Sequence, residues 1–298
     1  MNKQILTSTS ITTFQTCPRK YYWGYSEKLE PIREKALPLR FGSLWHIGME
    51  TWHRDRNLEM VYNSIAKNDL SPYEYAQLIE MVRGYTYRYP TEEFTVLELE
   101  KEFTASIRNP RTNRLSQKFT MRGKVDGIVE TADGIMVLEH KTTSVFSGTY
   151  LERLWADFQV MLYCYYLYLN GWQIAGVIYN IALKPGIRLK KNESLEEYQE
   201  RLVELYKNPD MFHREELIFD FNDFKRLTID VWNVLQNITW CEKHERWPHN
   251  TTSCFKWNSP CAFYDICKSN DNPLIIENNY QVRENRNPEL KEDNDAAT

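Results

Sequence analysis

The sequence predicts an α/β protein built on a mixed central sheet flanked by helices. Three observations carry that expectation. Residues 94–102, 119–129 and 135–141 are rich in β-branched side chains or alternate apolar with polar, the pattern of strands. Residues 155–169 form an amphipathic, tyrosine-heavy stretch with helical spacing. A further strand-like run at 175–182 follows it, and the order strands, helix, strand is that of an α/β core.

Taken in order, Ser10 before ITTFQTC reads as a helix N-cap, and Pro18 as the stop that leaves Cys17 at the helix end. Residues 41–54 carry apolar side chains at helical spacing, and a Tyr-rich helical stretch continues to Tyr89, where Pro90 breaks it. The span of about 50–90 is therefore read as a helical insertion. Asp133-Gly134 supplies a hairpin turn between two strands, and Asn170-Gly171 ends the helix before the last strand. Residues 194–205 and 221–245 read as further helices. Residues 1–268 are expected to form one domain, and the Asn-rich, acid-leaning stretch 269–298 a flexible tail.

With 298 residues, 42% of them apolar and 26% charged, the chain can bury a sizeable core. No apolar run approaches the ~20 residues that span a bilayer, and MNKQILTSTS lacks the basic start and apolar stretch of a signal peptide, so no membrane partner and a cytoplasmic location are expected. The six cysteines then read as core residues or metal ligands rather than a disulfide framework. A net charge of −4 argues against coating nucleic acid through bulk positive charge. A local patch remains open: Arg108, Arg111, Arg114, Lys118, Arg122 and Lys124 fall in a stretch with no acidic residue, which is either a nucleic-acid contact or a solvated hairpin. There is no internal repeat and no Gly-rich phosphate loop, which removes the simplest nucleotide-hydrolase readings.

The segment GKVDGIVETADGIMVLEHKTTS carries the chemistry. Glu139 and Lys141 lie two apart on one strand and so share a face, while hairpin pairing can bring Asp126 beside them. Two clustered carboxylates repel unless one protonates or a cation joins them, and hard oxygen donors suit Mg²⁺ or Mn²⁺. Such a cation can polarise a phosphoryl oxygen and activate water, and Lys141 can orient that water or stabilise the pentavalent charge. The alternative is a surface hairpin with polar residues at alternating positions. His46, in FGSLWHIGME, either completes the coordination sphere or is an ordinary core or surface histidine. Gln159 and Tyr163, four apart in a helix, share a face that either reaches the site or the DNA backbone, or packs.

The order of SITTFQTCPRKYYWGY, FGSLWHIGME, GKVDGIV, VLEHKTT and QVMLY resembles the RecB-like branch of the PD-(D/E)XK nucleases, over most of the chain up to about residue 170. That resemblance implies a restriction-endonuclease-like fold. It implies His46, Asp126, Glu139 and the His140 carbonyl as metal ligands, Lys141 as the catalytic lysine, and Gln159 and Tyr163 in supporting contacts. Glu100 and Glu102, on the preceding strand, have no role fixed by the sequence.

Cys254, Cys261 and Cys267 form a C-x6-C-x5-C run, and Cys17 is the best remaining donor for a fourth thiolate. Four thiolates suit Zn²⁺ or an iron–sulfur cluster. The layout of one cysteine before the core and three after it is similar to that of RecB-like nucleases with an iron–sulfur staple, including AddB and the CRISPR-associated exonucleases. Those relatives commonly have a tighter pair among the last three cysteines, so the wider spacing here keeps zinc open beside a [4Fe-4S] cluster. Cys164 and Cys241 read as ordinary helix residues. A cluster would staple the two ends of the chain around the core.

The expected function is a Mg²⁺- or Mn²⁺-dependent hydrolase of DNA phosphodiesters, with the resemblance implying an exonuclease on single strands or duplex ends, in recombination, repair or processing of invading DNA. Helicase motifs are absent, so unwinding would fall to a helicase or recombination partner. The compact chain fits a stand-alone enzyme of a bacterial cell or a phage-infected host. The rivals are an endonuclease or flap nuclease with the same site, and a non-catalytic DNA-binding or assembly protein on the nuclease fold.

Overall fold

The computed structural model describes residues 3–32, 37–219, 221–256, 259–288 and 290. In chain order the elements are β1 (Gln4–Leu6), α1 (Ser8–Thr16), α2 (Pro18–Tyr21), β2 (Leu29–Pro31), α3 (Leu37–Asp55), α4 (Leu58–Ala66), α5 (Pro72–Arg88), β3 (Thr95–Arg108), β4 (Leu115–Thr131) and β5 (Gly134–Thr143). They continue with α6 (Gly148–Trp155), α7 (Phe158–Leu169), β6 (Ile174–Leu183), α8 (Leu195–Tyr206), β7 (Phe212–Ile218), α9 (Phe221–His244), β8 (Phe255–Lys256), β9 (Ser259–Pro260), α10 (Tyr264–Lys268), α11 (Pro273–Asn279) and β10 (Tyr280–Val282). The chain divides into two units, one of Met1–Glu34, Phe103–Gly123 and Phe221–Thr298, the other of Lys35–Glu102 and Lys124–Asp220.

The central sheet is mixed and flanked by helices, as the sequence predicts. In the unit of residues 35–102 and 124–220, β4 and β5 pair antiparallel from Gly127↔Leu138 to Thr131↔Gly134, and Gly134 takes the positive φ of 121° that the turn requires. β5 pairs parallel with β6, and β6 antiparallel with β7. A parallel neighbour demands a long crossover, which here runs through α6 and α7. Met136, Val137, Leu138, Glu139 and His140 are all buried, so β5 is an interior strand whose polar residues need partners. The helices α3, α4, α5 and α8 close over a core that includes Trp45, Met49, Ile65, Leu78, Met81, Tyr85 and Leu202. Trp45 and Met49 are fully buried on α3, which fixes the rotation of the helix and so the direction of His46 between them.

The helix expected at 155–169 begins at Phe158 as α7, and Trp155 instead ends a separate helix, α6. Asp157 is the reason: its backbone is extended (φ −72°, ψ 91°) and its side chain accepts the N–H of Gln159, capping α7. Ser147 caps α6 in the same way by accepting the N–H of Tyr150.

In the other unit β1 pairs parallel with the first part of β4 through Gln4↔Phe119 and Leu6↔Met121. The cap of α1 is Thr7, not Ser10. Ser10 is instead the third helical residue, and the two side chains satisfy each other's backbone N–H in a capping box. Pro18 does end α1, but it also opens α2 at a position where its missing N–H costs nothing.

The expectation of a flexible tail from residue 269 is corrected for residues 273–282. Asn272 caps α11, with Pro273 at its first position, and β10 pairs antiparallel with β2 through Tyr280↔Pro31 and Val282↔Leu29. Tyr280 is buried with Trp23, Leu29, Phe263 and Ile266, and Ile275 and Ile276 pack against them. Burial of these side chains outweighs the polar composition around them. The last eight residues of the expected tail lie outside the described residues.

The basic stretch is partly neutralised. Lys118 pairs with Glu242 and Lys124 with Glu100, while Arg108 donates to the Asn113 carbonyl. Glu100, whose role the sequence leaves open, thus holds Lys124 from a left-handed backbone position at φ 49°.

Candidate active site

The β4–β5 ladder ends at Gly127↔Leu138, and the next residues, Asp126 and Glu139, leave the regular pairing. There the Asp126 side chain takes over as backbone acceptor: its Oδ2 receives the N–H of His140 at 2.8 Å. The same oxygen lies 3.1 Å from Nδ1 of His46, which α3 brings to the sheet. Lys141 Nζ donates to Glu139 Oε1 at 2.8 Å and lies 3.3 Å from Asp157 Oδ2. The residues predicted from the strand pattern are therefore together, in two linked pairs.

Asp157 was not among the predicted site residues. Read as the interior of one helix it carries no signal, whereas as the cap of α7 it faces Lys141 with one carboxylate oxygen and Gln159 N–H with the other. Gln159 is thus placed at the start of α7, beside the site through its backbone. Tyr163 is buried one turn further along that helix.

Burial works against charge throughout this cluster, and the pairing decides which charges survive. Burial would raise the Asp126 carboxyl, but His46 and the His140 N–H outweigh it and hold Asp126 below the usual carboxylate range. Burial also opposes the imidazolium of His46, yet Asp126 raises it. Glu139 is pushed upward by burial, against Lys141 and with the help of Asp126. For Lys141, burial is outweighed by Glu139 and Asp157, and its ammonium is retained.

Behind the site lies a buried polar layer that links distant segments. The His140 ring stacks at 5.2 Å on His53, neither of whose ring nitrogens has a hydrogen-bond partner. Arg214 joins Asn180 at 2.7 Å, Glu92 at 2.7 Å and the Tyr85 hydroxyl at 3.1 Å. Burial lowers His53 well below its ordinary value and His140 to about 3, so both rings are neutral in the fold. Below about pH 6.5 the unfolded chain takes up protons that these buried rings refuse, so their contribution to stability is present above that pH and is lost as pH falls. Glu139, raised in the fold, acts in the opposite direction between the unfolded glutamate range and neutrality, so the readout must be a difference. On lowering the pH from 7.5 to 5, the melting temperature of His53→Phe should fall less than that of the wild type. Parallel decreases would show that His53 titrates freely.

In the first-described group of cysteines, all within residues 1–34 and 221–298, Cys17 is buried at the α1–α2 junction and accepts the N–H of Asn250 at 3.4 Å. Cys261 N–H donates to the Cys254 carbonyl at 2.7 Å across the small β8–β9 hairpin, and Cys267 lies in α10. Burial raises Cys254, and the Cys261 and Cys17 thiols raise it further. Cys267 is pushed up to about 11 by burial, opposed by Arg19 and reinforced by Cys261 and Cys17. The four predicted cysteines thus share one neighbourhood. Arg19 edges it, pairing with Asp271 and lying over the Tyr22 and Trp23 rings. Cys164 and Cys241 are buried in α7 and α9. Among the described residues no group of three or more His, Cys, Asp or Glu side chains is arranged to hold a metal ion as it stands. As the side chains stand, Lys141 occupies Glu139.

A family model described as the PD-(D/E)XK nuclease superfamily matches residues 5–268. No curated protein matches the sequence. The crystal structure of SSO0001 is a distant likeness, with a TM-score of 0.35 and 11% sequence identity over 80% of this chain and 78% of that one. No helix among the described residues is long and apolar enough to cross a membrane.

Proposed function

The chain belongs to the PD-(D/E)XK nuclease superfamily, and from that premise we propose that it hydrolyses DNA phosphodiesters with Mg²⁺ or Mn²⁺, as a RecB-like exonuclease on single strands or duplex ends. The observation that carries the reading is the meeting of Asp126, Glu139 and Lys141 where the β4–β5 ladder opens. Two clustered carboxylates, of which Glu139 is buried and pushed upward by that burial and by the charge of Asp126, are short of positive charge, and their oxygen donors suit a hard divalent cation. His46, Asp126, Glu139 and the His140 carbonyl would hold it. When bound, such a cation polarises a phosphoryl oxygen and lowers the pKa of the attacking water.

The remaining chemistry belongs to side chains. Asp157 keeps a carboxylate beside Lys141 that does not depend on Glu139, so the ammonium would stay anchored if Glu139 were to take up a cation. From there Lys141 orients water or stabilises the charge that builds on the phosphorus oxygens. Gln159 and Tyr163 support the site or the bound strand from α7. The four thiols of Cys17, Cys254, Cys261 and Cys267 would carry an iron–sulfur cluster, with Zn²⁺ as the competing occupant. Recombination, repair or processing of invading DNA is the setting, with a helicase or recombination protein supplying unwinding.

The test is degradation of end-labelled single- and double-stranded DNA by anaerobically purified protein with Mg²⁺ or Mn²⁺. Progressive loss from ends supports the exonuclease, preference for closed circles would replace it with an endonuclease, and tight binding without cutting under either metal would defeat the catalytic reading. Asp157→Asn separates capping from charge, because asparagine caps a helix about as well as aspartate. The variant should melt close to the wild type yet cut roughly 10- to 100-fold more slowly, the range for a misplaced catalytic group. An unchanged rate would remove Asp157 from the machinery.

A further inference from the structure

Beside the site, α3 and β5 meet through three imidazoles. His46 and His53 stand seven residues apart on α3, two turns or about 10 Å along one side of the helix. The His140 ring lies against both: edge-on to His46, with centroids 6.3 Å apart at 86°, and stacked on His53 at 5.2 Å and 25°. His140 is also the residue whose N–H donates to Asp126 Oδ2, the oxygen that His46 meets. The seat of α3 on β5 therefore decides where His46 stands relative to Asp126.

That seat is built on the sheet face away from Lys141. The rung His140–Asn180–Arg214 crosses β5, β6 and β7, so all three side chains project from one face. Arg214 Nε donates to Asn180 Oδ1, and its Nη2 donates to the Tyr85 hydroxyl and to Glu92 Oε2. Tyr85 donates to Glu92 Oε1 at 3.0 Å and accepts from Asn180 Nδ2 at 3.0 Å. The Tyr85 and Phe94 rings wall His53 at 6.1 and 5.8 Å, and Arg214 lies over Phe94 at 5.1 Å. Glu92 Oε1 stands 3.9 Å from His53 Nδ1. A buried ion pair contributes little net stability, but its directional bonds admit one arrangement where apolar packing admits several. Groups that bind a metal need such support from the residues behind them.

A second buried carboxylate marks the difference. The Glu80 side chain is as buried as that of Glu92, both 2% exposed. It accepts from Arg83 and Gln199 and so ties α5 to α8. Among the described residues its hydrogen-bond partners include none on α3 or β5.

We infer that Glu92 and Arg214 are positioning residues for the metal ligands: through Tyr85 and Phe94 they fix His53 against His140, and so hold His46 on α3 at its distance from Asp126. The inference rests on the nuclease reading above and adds what keeps its ligand set in register.

The experiment titrates Mn²⁺ into the anaerobically purified protein by calorimetry, counting as site-bound only the binding that Asp126→Ala abolishes. Glu92→Gln keeps the shape of the side chain and removes its charge; it should weaken that binding roughly 10-fold, the low end for residues that orient metal ligands. Cleavage of single-stranded DNA by this variant should return close to the wild-type rate at saturating Mn²⁺, which places the loss in metal affinity. Arg214→Lys, which keeps the charge and loses the planar fork, should show the same loss. Glu80→Gln, the same change in an equally buried carboxylate, should lower the melting temperature as Glu92→Gln does yet leave Mn²⁺ affinity at the wild-type value. Unchanged Mn²⁺ affinity in a folded Glu92→Gln or Arg214→Lys protein, or an equal loss in Glu80→Gln, would overturn the positioning role while the wild type still binds Mn²⁺ through Asp126. A wild type with no Asp126-dependent Mn²⁺ site would instead defeat the metal-site reading, and the positioning role with it.

Discussion

Lys141→Ala is expected to slow DNA cleavage by roughly 10²–10³-fold, the scale for removing one group aimed at charge that develops in a transition state. DNA affinity and the melting temperature should stay near the wild-type values. The expectation follows from where the ammonium stands. Lys141 is held by Glu139 on its own strand and by Asp157 across from it, so it enters the site with its orientation fixed and its charge retained. Truncation leaves Glu139 without its strongest partner. Because burial and Asp126 already push that carboxyl up, the metal-free variant should favour a protonated Glu139 still more. Higher Mg²⁺ should therefore recover part of any weakened metal binding but not the lost rate. A variant that cuts at the wild-type rate would show that the lysine is only a structural counter-ion, and the catalytic assignment would pass to Asp126, Glu139 and His46 alone. Lys141→Arg should recover little, since a planar guanidinium cannot replace a point charge packed between two carboxylates.

What could be read in the sequence was what repeats locally. Asp126, Glu139 and Lys141 were legible because a strand has a period of two and the Asp133-Gly134 signal marks where the hairpin reverses, although the two residues between the paired Thr131 and Gly134 are Ala132 and Asp133. The helix carrying His46 was equally visible, since Trp45 and Met49 mark its buried stripe. Asp157 was hidden because apolar and aromatic residues continue helical spacing on either side of it. Only the extended backbone at the cap breaks the helix, and the DFQ sequence gives that break a weak signal. The α11–β10 segment shows a different failure. Its Asn272-Pro273 start is a proper helix signal, but a composition argument over thirty residues swamped it, although Ile275, Ile276 and Tyr280 were there to be buried. The layer behind His140 could not be read at all. Arg214 meets Glu92 across 122 positions of sequence, and no local period encodes such a meeting.

Cys17→Ser is expected to produce a colourless protein without bound iron, in contrast to a brown wild type purified without oxygen. Cys241→Ser should keep both colour and iron, because Cys241 is buried in α9 and the charge that acts on it is that of Glu242 rather than of the four thiols. Cys17 comes from the α1–α2 junction and the other three thiols from residues 254–267, so a cluster would close a loop through more than two hundred residues of sequence. Removing a cross-link over so long a loop costs roughly 3–5 kcal/mol. For a chain of this size such a loss lowers the melting temperature by on the order of 10 °C. The raised thiols of Cys254 and Cys267 add a second expectation: with no metal to draw off their protons they stay thiols, so the stripped protein should react slowly with alkylating reagents at neutral pH. Zinc in place of iron in the wild type would keep the four-thiol staple while replacing its occupant. Full iron in Cys17→Ser would take Cys17 out of the site and leave three thiols looking for a different fourth ligand.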